Sequence, residues 1–242
     1  MQVQNHFAHG TAGMYLLKML TIMRFRTHFF LLVSVLALSG CSAFNNGKVS
    51  QDMLPWREPG QIIYQDDFSD NTSGWEEVSN VYELKGYSTS GYMVSINQPD
   101  SRTISTTGLS FSNTLTDVNV QKITGSRTSQ FGLVCRFQDK YNYYSFVISA
   151  DGYAGIVRYV DGQGKLLGSE QMIRAEGINS DDGNNSVSAA CVDNNLRLVV
   201  NNETIIRVKD DTFINGDIGF FLETFEVGNS TVVFSDLIIV KP

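Results

Sequence analysis

From residue 61 onward the chain alternates apolar and polar positions in short runs rich in Val, Ile, Tyr, Phe and Thr. A period of two sends successive side chains to opposite faces of an extended strand. Strands are predicted over 61–65, 81–85, 91–96, 102–106, 116–123, 130–138, 142–149, 153–160, 165–169, 186–193, 196–201, 203–209, 217–223 and 231–240. Between them stand Ser90-Gly91, Asp151-Gly152, Asp161-Gly162, Asp182-Gly183, Asn194-Asn195, Asn201-Asn202 and Asn215-Gly216, residue types that tolerate the positive φ of hairpin turns. Outside the leader no dozen-residue window keeps a 3.6 period, so no helix longer than a turn or two is expected. The pattern predicts an all-β domain over 61–242, a two-sheet antiparallel sandwich without internal repeat or second domain boundary.

Facing follows from the same alternation. In Phe131-Gly132-Leu133-Val134-Cys135-Arg136-Phe137 the odd positions are apolar and Arg136 points away from them. Along 142–149 the even residues Tyr144, Phe146 and Ile148 read as core, leaving Tyr143, Ser145 and Ser149 opposite. Cys135 and Cys191, the latter in line with Val187 and Ala189, both face inward.

The first forty residues are different in kind. They hold Lys18, Arg24, Arg26 and all three histidines, and no Asp or Glu. Phe29 to Leu38 is a short apolar run behind Met23-Arg24-Phe25-Arg26, the layout of a secretory signal and about half the length a membrane-spanning helix needs. Residues 1–40 are expected to be removed, with the true start near Met23. Leu38-Ser39-Gly40-Cys41 resembles a bacterial lipobox. That resemblance implies a diacylglycerol thioether and fatty acyl groups such as palmitate on Cys41, and a chain fixed to the extracytoplasmic face of a membrane. Residues 41–60, with Asn45-Asn46-Gly47, Pro55 and Pro59, read as a lipidated stalk reaching roughly 25 Å on average and about 60 Å at most.

Export changes the chemistry expected of the domain. Cys41 to Pro242 is acidic, keeping 15 of the 18 Lys+Arg and all 25 Asp+Glu, and has no imidazole. Histidine-based triads, His-ligated zinc and nucleic-acid binding are excluded for the mature chain. Two inward cysteines in a thiol-poor compartment can pair. The alternative is two separate buried thiols, but with Cys41 modified no odd thiol remains, which favours the bridge.

Asp66-Asp67-Phe68-Ser69-Asp70 followed by Ser73-Gly74-Trp75 resembles concanavalin A-like, laminin-G-like jelly-roll domains of bacterial surface proteins. The resemblance continues through Phe131 to Arg136, Tyr141 to Phe146, Ile148 to Tyr153, Leu198 to Asn202, Asp211-Thr212-Phe213, Gly216 to Gly219 and Val233 to Asp236. It implies that the first and last strands lie side by side. Its relatives include lectins, carbohydrate-binding modules and glycan-cleaving enzymes, and fold alone does not choose among them.

The laminarinase-like enzymes of that family carry Glu-x-Asp-x-Glu on one strand, for which the nearest match is Asp117-Val118-Asn119-Val120-Gln121. Amides at two of the three positions can neither attack an anomeric carbon nor deliver a proton. Glu223 and Glu226, three apart, would diverge on a continuous strand. No catalytic residue is assigned. Aromatic faces with fixed amides and hydroxyls suit sugar recognition. Asp117, Asn119, Arg136, Tyr143, Tyr153 and Tyr159 are expected to form one polar and aromatic floor. Trp75 reads as a core plug. Calcium is a candidate cofactor, since terminal-strand pairing would bring Asp66 or Asp67 near Asp236, but no metal ligand is assigned. The reading is an exported monomer that binds a glycan or envelope polymer without catalysis. A protein-interaction module is the alternative, and a glycoside hydrolase or lyase ranks behind it.

Overall fold

A computed structural model describes Gly60 to Pro242; the expected signal segment, the expected acylation site Cys41 and the expected stalk through residue 59 lie outside the described residues. The described residues form sixteen strands: β1 Gln61–Asp66, β2 Val78–Ser79, β3 Glu83–Ser88, β4 Gly91–Ile96, β5 Ser101–Thr106, β6 Thr114–Thr124, β7 Gln130–Asp139 and β8 Asn142–Ser149. The second half supplies β9 Tyr153–Val160, β10 Gln163–Leu166, β11 Ile173–Arg174, β12 Asn184–Val192, β13 Asn195–Val200, β14 Glu203–Lys209, β15 Asp217–Thr224 and β16 Ser230–Lys241. Every pairing is antiparallel. One sheet runs β14-β13-β12-β6-β16-β4-β3-β2, with β1 also on β16; the other runs β10-β9-β8-β7-β15-β5, with β11 also on β9.

The alternation locates the long strands, whereas β10 falls at Gln163–Leu166 and shares only two residues with the expected 165–169. β2 and β11 have two residues each and no period to read. The turn after β12 falls on Asp193-Asn194, one residue earlier than expected, because Asp193 takes the positive φ (51°) and Asn195 already pairs with Val192.

The interior lies between the sheets. Phe131, Leu133 and Cys135 of β7, Tyr144, Phe146 and Ile148 of β8, and Val187, Ala189 and Cys191 of β12 all enter one buried cluster, as the alternation requires. Cys135 and Cys191, 56 residues apart, form a disulfide that joins the two sheets. Trp75 is 4 % exposed, stacks on Phe220 at 4.7 Å, and donates from Nε1 to Asp66 Oδ2 at 2.9 Å. Phe220 stacks in turn on Phe234 at 4.1 Å. The first and last strands are neighbours, with Ile62 opposite Val240 and Asp66 opposite Leu237.

Candidate functional site

The outer face of the seven-stranded sheet carries the rows Arg102, Glu223, Gln130, Ser149 and Ile104, Phe221, Gly132, Val147, Gly155, aligned across β5, β15, β7, β8 and, for the second, β9. Tyr143 stands opposite Tyr159 on the same face. The Arg102 guanidinium sits 4.3 Å from the centre of the Tyr159 ring, and the Tyr159 hydroxyl donates to Glu223 Oε2 at 3.3 Å. Three and four strand steps separate these residues sideways alone, at least about 14 and 19 Å on a flat sheet. Contact between them requires the sheet to curl toward this side, which is therefore its concave face.

The middle of that face is filled from within. Tyr143 and Tyr159 stack at 4.7 Å, and with Val134, Val147, Val157 and Phe221 they form a second apolar cluster, Tyr143 and Phe221 being 0 % and Tyr159 6 % exposed. Arg102 Nε lies 3.9 Å from Glu223 Oε1 at its edge. Burial raises the Glu223 carboxyl above its ordinary range, against the opposing pull of Arg102 and of the Tyr159 hydrogen bond. Burial likewise pushes the Tyr159 phenol up to about 12. At Gly155 a Cβ would fall 2.4 Å from Met172 Sδ, so a larger residue there would push the flexible Met172 side chain off its place across the face.

Beyond Met172 the face opens into a cleft of about 500 Å³. Ser126 and Thr128 approach it from the turn before β7, Gln130 and Ser149 from the strands, Asp151 and Tyr153 from the start of β9, Gln171 and Met172 from the segment before β11, and Phe225, Glu226 and Val227 from the loop after β15. The Asp151-Gly152 turn is held by Asp151 N–H to Arg127 O at 3.1 Å and Gly152 N–H to Ser149 O at 3.0 Å, and the Ser149 hydroxyl is bonded to the Asp151 carboxylate. Tyr153 is half-buried, its partner across the ladder is Arg174, and that guanidinium lies 5.9 Å from its ring centre. Two aromatic rings, Tyr153 and Phe225, with two amides, several hydroxyls and two carboxylates thus converge on one opening, a set matched to a polyhydroxylated ligand.

The expected single floor does not form. Asp117 and Asn119 lie on β6, in the other sheet, where Asp117 accepts from the Ser188 hydroxyl and Asn119 Nδ2 donates to Asp236 Oδ2 at 3.0 Å. Arg136 sits in a β-bulge with φ of 53°, which turns it off the outer face. It is 1 % exposed and donates to Phe213 O at 2.8 Å and Asp193 O at 2.6 Å, and burial lowers its pKa. Phe137 takes the outer face in its place, packing on the plug. Tyr143 and Tyr159 are on the expected face but inside the plug. Of the six candidates only Tyr153 lines the open cleft. Glu223 and Glu226 do not share one strand, since β15 ends at Thr224: Glu223 meets Arg102 and Tyr159 at the plug, and Glu226 lines the cleft from the loop.

Asp66, Asp67, Asp70 and Asp236 border one depression of about 470 Å³, as terminal pairing implies. Their oxygens serve the chain itself. Asp66 accepts from Phe68 N–H at 2.8 Å, Asp67 from Ser69 N–H at 2.9 Å, and Asp70 from Thr72 N–H at 2.8 Å. Among the described residues no three His, Cys, Asp or Glu side chains converge to hold a metal, so these residues do not fit a calcium site.

No protein-family model and no curated protein matches the chain. Solved structures do. A carbohydrate-binding module from Bacillus subtilis, CBM66, matches at TM-score 0.57 and 15 % identity over 69 % of this chain and 96 % of that one. The fold is a galectin- and concanavalin-like jelly roll. A Bacillus subtilis protein of unknown function with a galectin-like fold matches at TM-score 0.56 and 12 % identity, over 75 % and 97 % of the two chains. A Bacillus licheniformis beta-glucanase matches at 0.53 and 11 %, over 74 % and 97 %. This jelly roll therefore has both binding and glycan-cleaving proteins among its structural neighbours.

Proposed function

We propose that the chain is an exported protein, acylated at Cys41 and held on the outer side of a membrane, whose jelly roll binds a glycan in the cleft around Tyr153 without cleaving it. The observation that carries this reading is the half-buried Tyr153 ring set among Gln130, Gln171, Asp151 and Glu226 in an opening of about 500 Å³. A ring of that kind stacks on pyranose C–H groups, while the amides and carboxylates bond the hydroxyls around it. The presence of a carbohydrate-binding module among its structural neighbours supports the choice.

A chain from Ser42 to Pro242, screened on a glycan array and on insoluble polysaccharides, should be retained by at least one of them. Tyr153→Ala should weaken that retention roughly tenfold or more, as for loss of a central aromatic anchor. Retention unchanged in Tyr153→Ala would remove the cleft from consideration. Asp151 and Glu226 in one cleft favour hydrolysis as the second reading. Release of reducing ends that stops in Glu226→Gln would establish it. Acylation is tested by fatty-acid labelling of the full chain, which Cys41→Ala should abolish.

A further inference from the structure

A third opening lies on the outer face of the nine-stranded sheet. The registers align Ile62, Val240, Leu115, Ala190, Arg197 and Arg207 in one row across β1, β16, β6, β12, β13 and β14. Leu115, Ala190 and Val240 form a small apolar cluster separate from the main core, so the row faces outward. The next row toward the strand ends is Val192, Asn195 and Lys209. The result is a cleft of about 480 Å³ with an apolar floor and three cations, Arg197, Arg207 and Lys209, on one wall.

Two observations select its occupant. The mature chain is strongly acidic, yet this cleft gathers three cations, a complement to an anionic surface. The cleft also adjoins the point where the stalk enters the domain, since Gly60 packs against Val240 and Lys241, and Pro242 borders the opening. The nineteen residues from Ser42 to Gly60 would put this end of the sandwich roughly 25 Å on average, and about 60 Å at most, from an acylated Cys41.

We infer that the cleft seats on the headgroups of an anionic phospholipid bilayer, the exposed Arg207 and Lys209 meeting the phosphates and the apolar floor taking their stems. The position of this surface rests on the lipid-anchor reading, whereas its chemistry is tested without the anchor. Every strand of the sandwich lies between Gln61 and Lys241, so a chain beginning at Ser42 keeps it whole. That chain should float with vesicles of equal phosphatidylglycerol and phosphatidylcholine, stay behind with pure phosphatidylcholine, and be released by about 0.5 M NaCl. Arg207→Ala with Lys209→Ala, both exposed on β14, should weaken flotation roughly tenfold or more while the melting midpoint and glycan retention stay unchanged. Failure to float, equal flotation on the neutral vesicles, or an unaffected double variant would overturn the inference. Fatty-acid labelling of Cys41 is read separately, so loss of the anchor and loss of the surface are distinct results.

Discussion

Two parts of one concave face differ in what they do with tyrosine. In its middle Tyr143 and Tyr159 stack on each other and shut out solvent; at its end Tyr153 stands half-buried beside an opening. All three lie on strands β8 and β9 and point the same way. What separates them is what covers them: Phe221, Phe137 and the Met172 side chain close over the first pair, while the loops around Tyr153 stand back. A face can thus hold a stabilising cluster and a binding surface side by side, with one methionine as the wall between them.

That contrast can be broken outright by replacing Cys135 and Cys191 together with Ala. The bridge joins the sheets behind both regions, and removing a constraint on about 57 residues should cost about 4 kcal/mol in the chain-entropy account. Denaturant midpoints would measure it, and a shift below 1 kcal/mol would refute the staple. Phe221→Ala strikes the plug alone and should cost about 3 to 4 kcal/mol, read in the same assay.

A control away from both regions is Asp210, which binds Arg158 Nη1 at 2.6 Å and accepts from the Tyr144 hydroxyl at 2.5 Å. Burial opposes its ionisation, but the Tyr144 and Thr212 hydrogen bonds and the Arg158 charge hold its carboxyl below the ordinary 3.8. The native state then binds fewer protons than the unfolded chain, so this stability is present above pH 4 and lost as pH falls through the native value. Asp210→Asn should cost about 1 to 2 kcal/mol at neutral pH and flatten the acid limb of the stability curve. An unchanged acid limb would exclude this residue as its source.

The smallest effects sharpen the comparison most. The Tyr143 hydroxyl is buried without a hydrogen-bond partner, so Tyr143→Phe should leave stability unchanged or raise it by up to about 1 kcal/mol. Tyr153→Ala should alter stability by less than about 0.5 kcal/mol while weakening glycan retention. A stability loss in Tyr153→Ala equal to that of Phe221→Ala would erase the distinction between plug and cleft.

How much of this was legible in the sequence depends on range. The period-two pattern located the long strands, and the inward Cys135, Cys191, Tyr144, Phe146 and Ile148 followed from it. Arg136 misled because a bulge adds a residue to the count and turns its side chain, and a positive φ at an arginine leaves no mark in the alternation. Asp117 and Asn119 were joined to the tyrosines because alternation assigns a face within a strand but not the sheet to which the strand belongs. Gln171 and Glu226 lie in loops with no period. Only the chain path between distant strands brings them to Tyr153.

Pairing of β1 with β16 sets the two ends of the sandwich against each other, Gln61 opposite Lys241. A short linker could therefore splice them and new termini be cut at the Asp161-Gly162 hairpin, giving a circularly permuted domain with every ladder but one hairpin intact. For the natural chain order, an affinity tag appended after Pro242 would sit beside the basic cleft and obstruct it, so surface immobilisation is better made from the far side of the molecule.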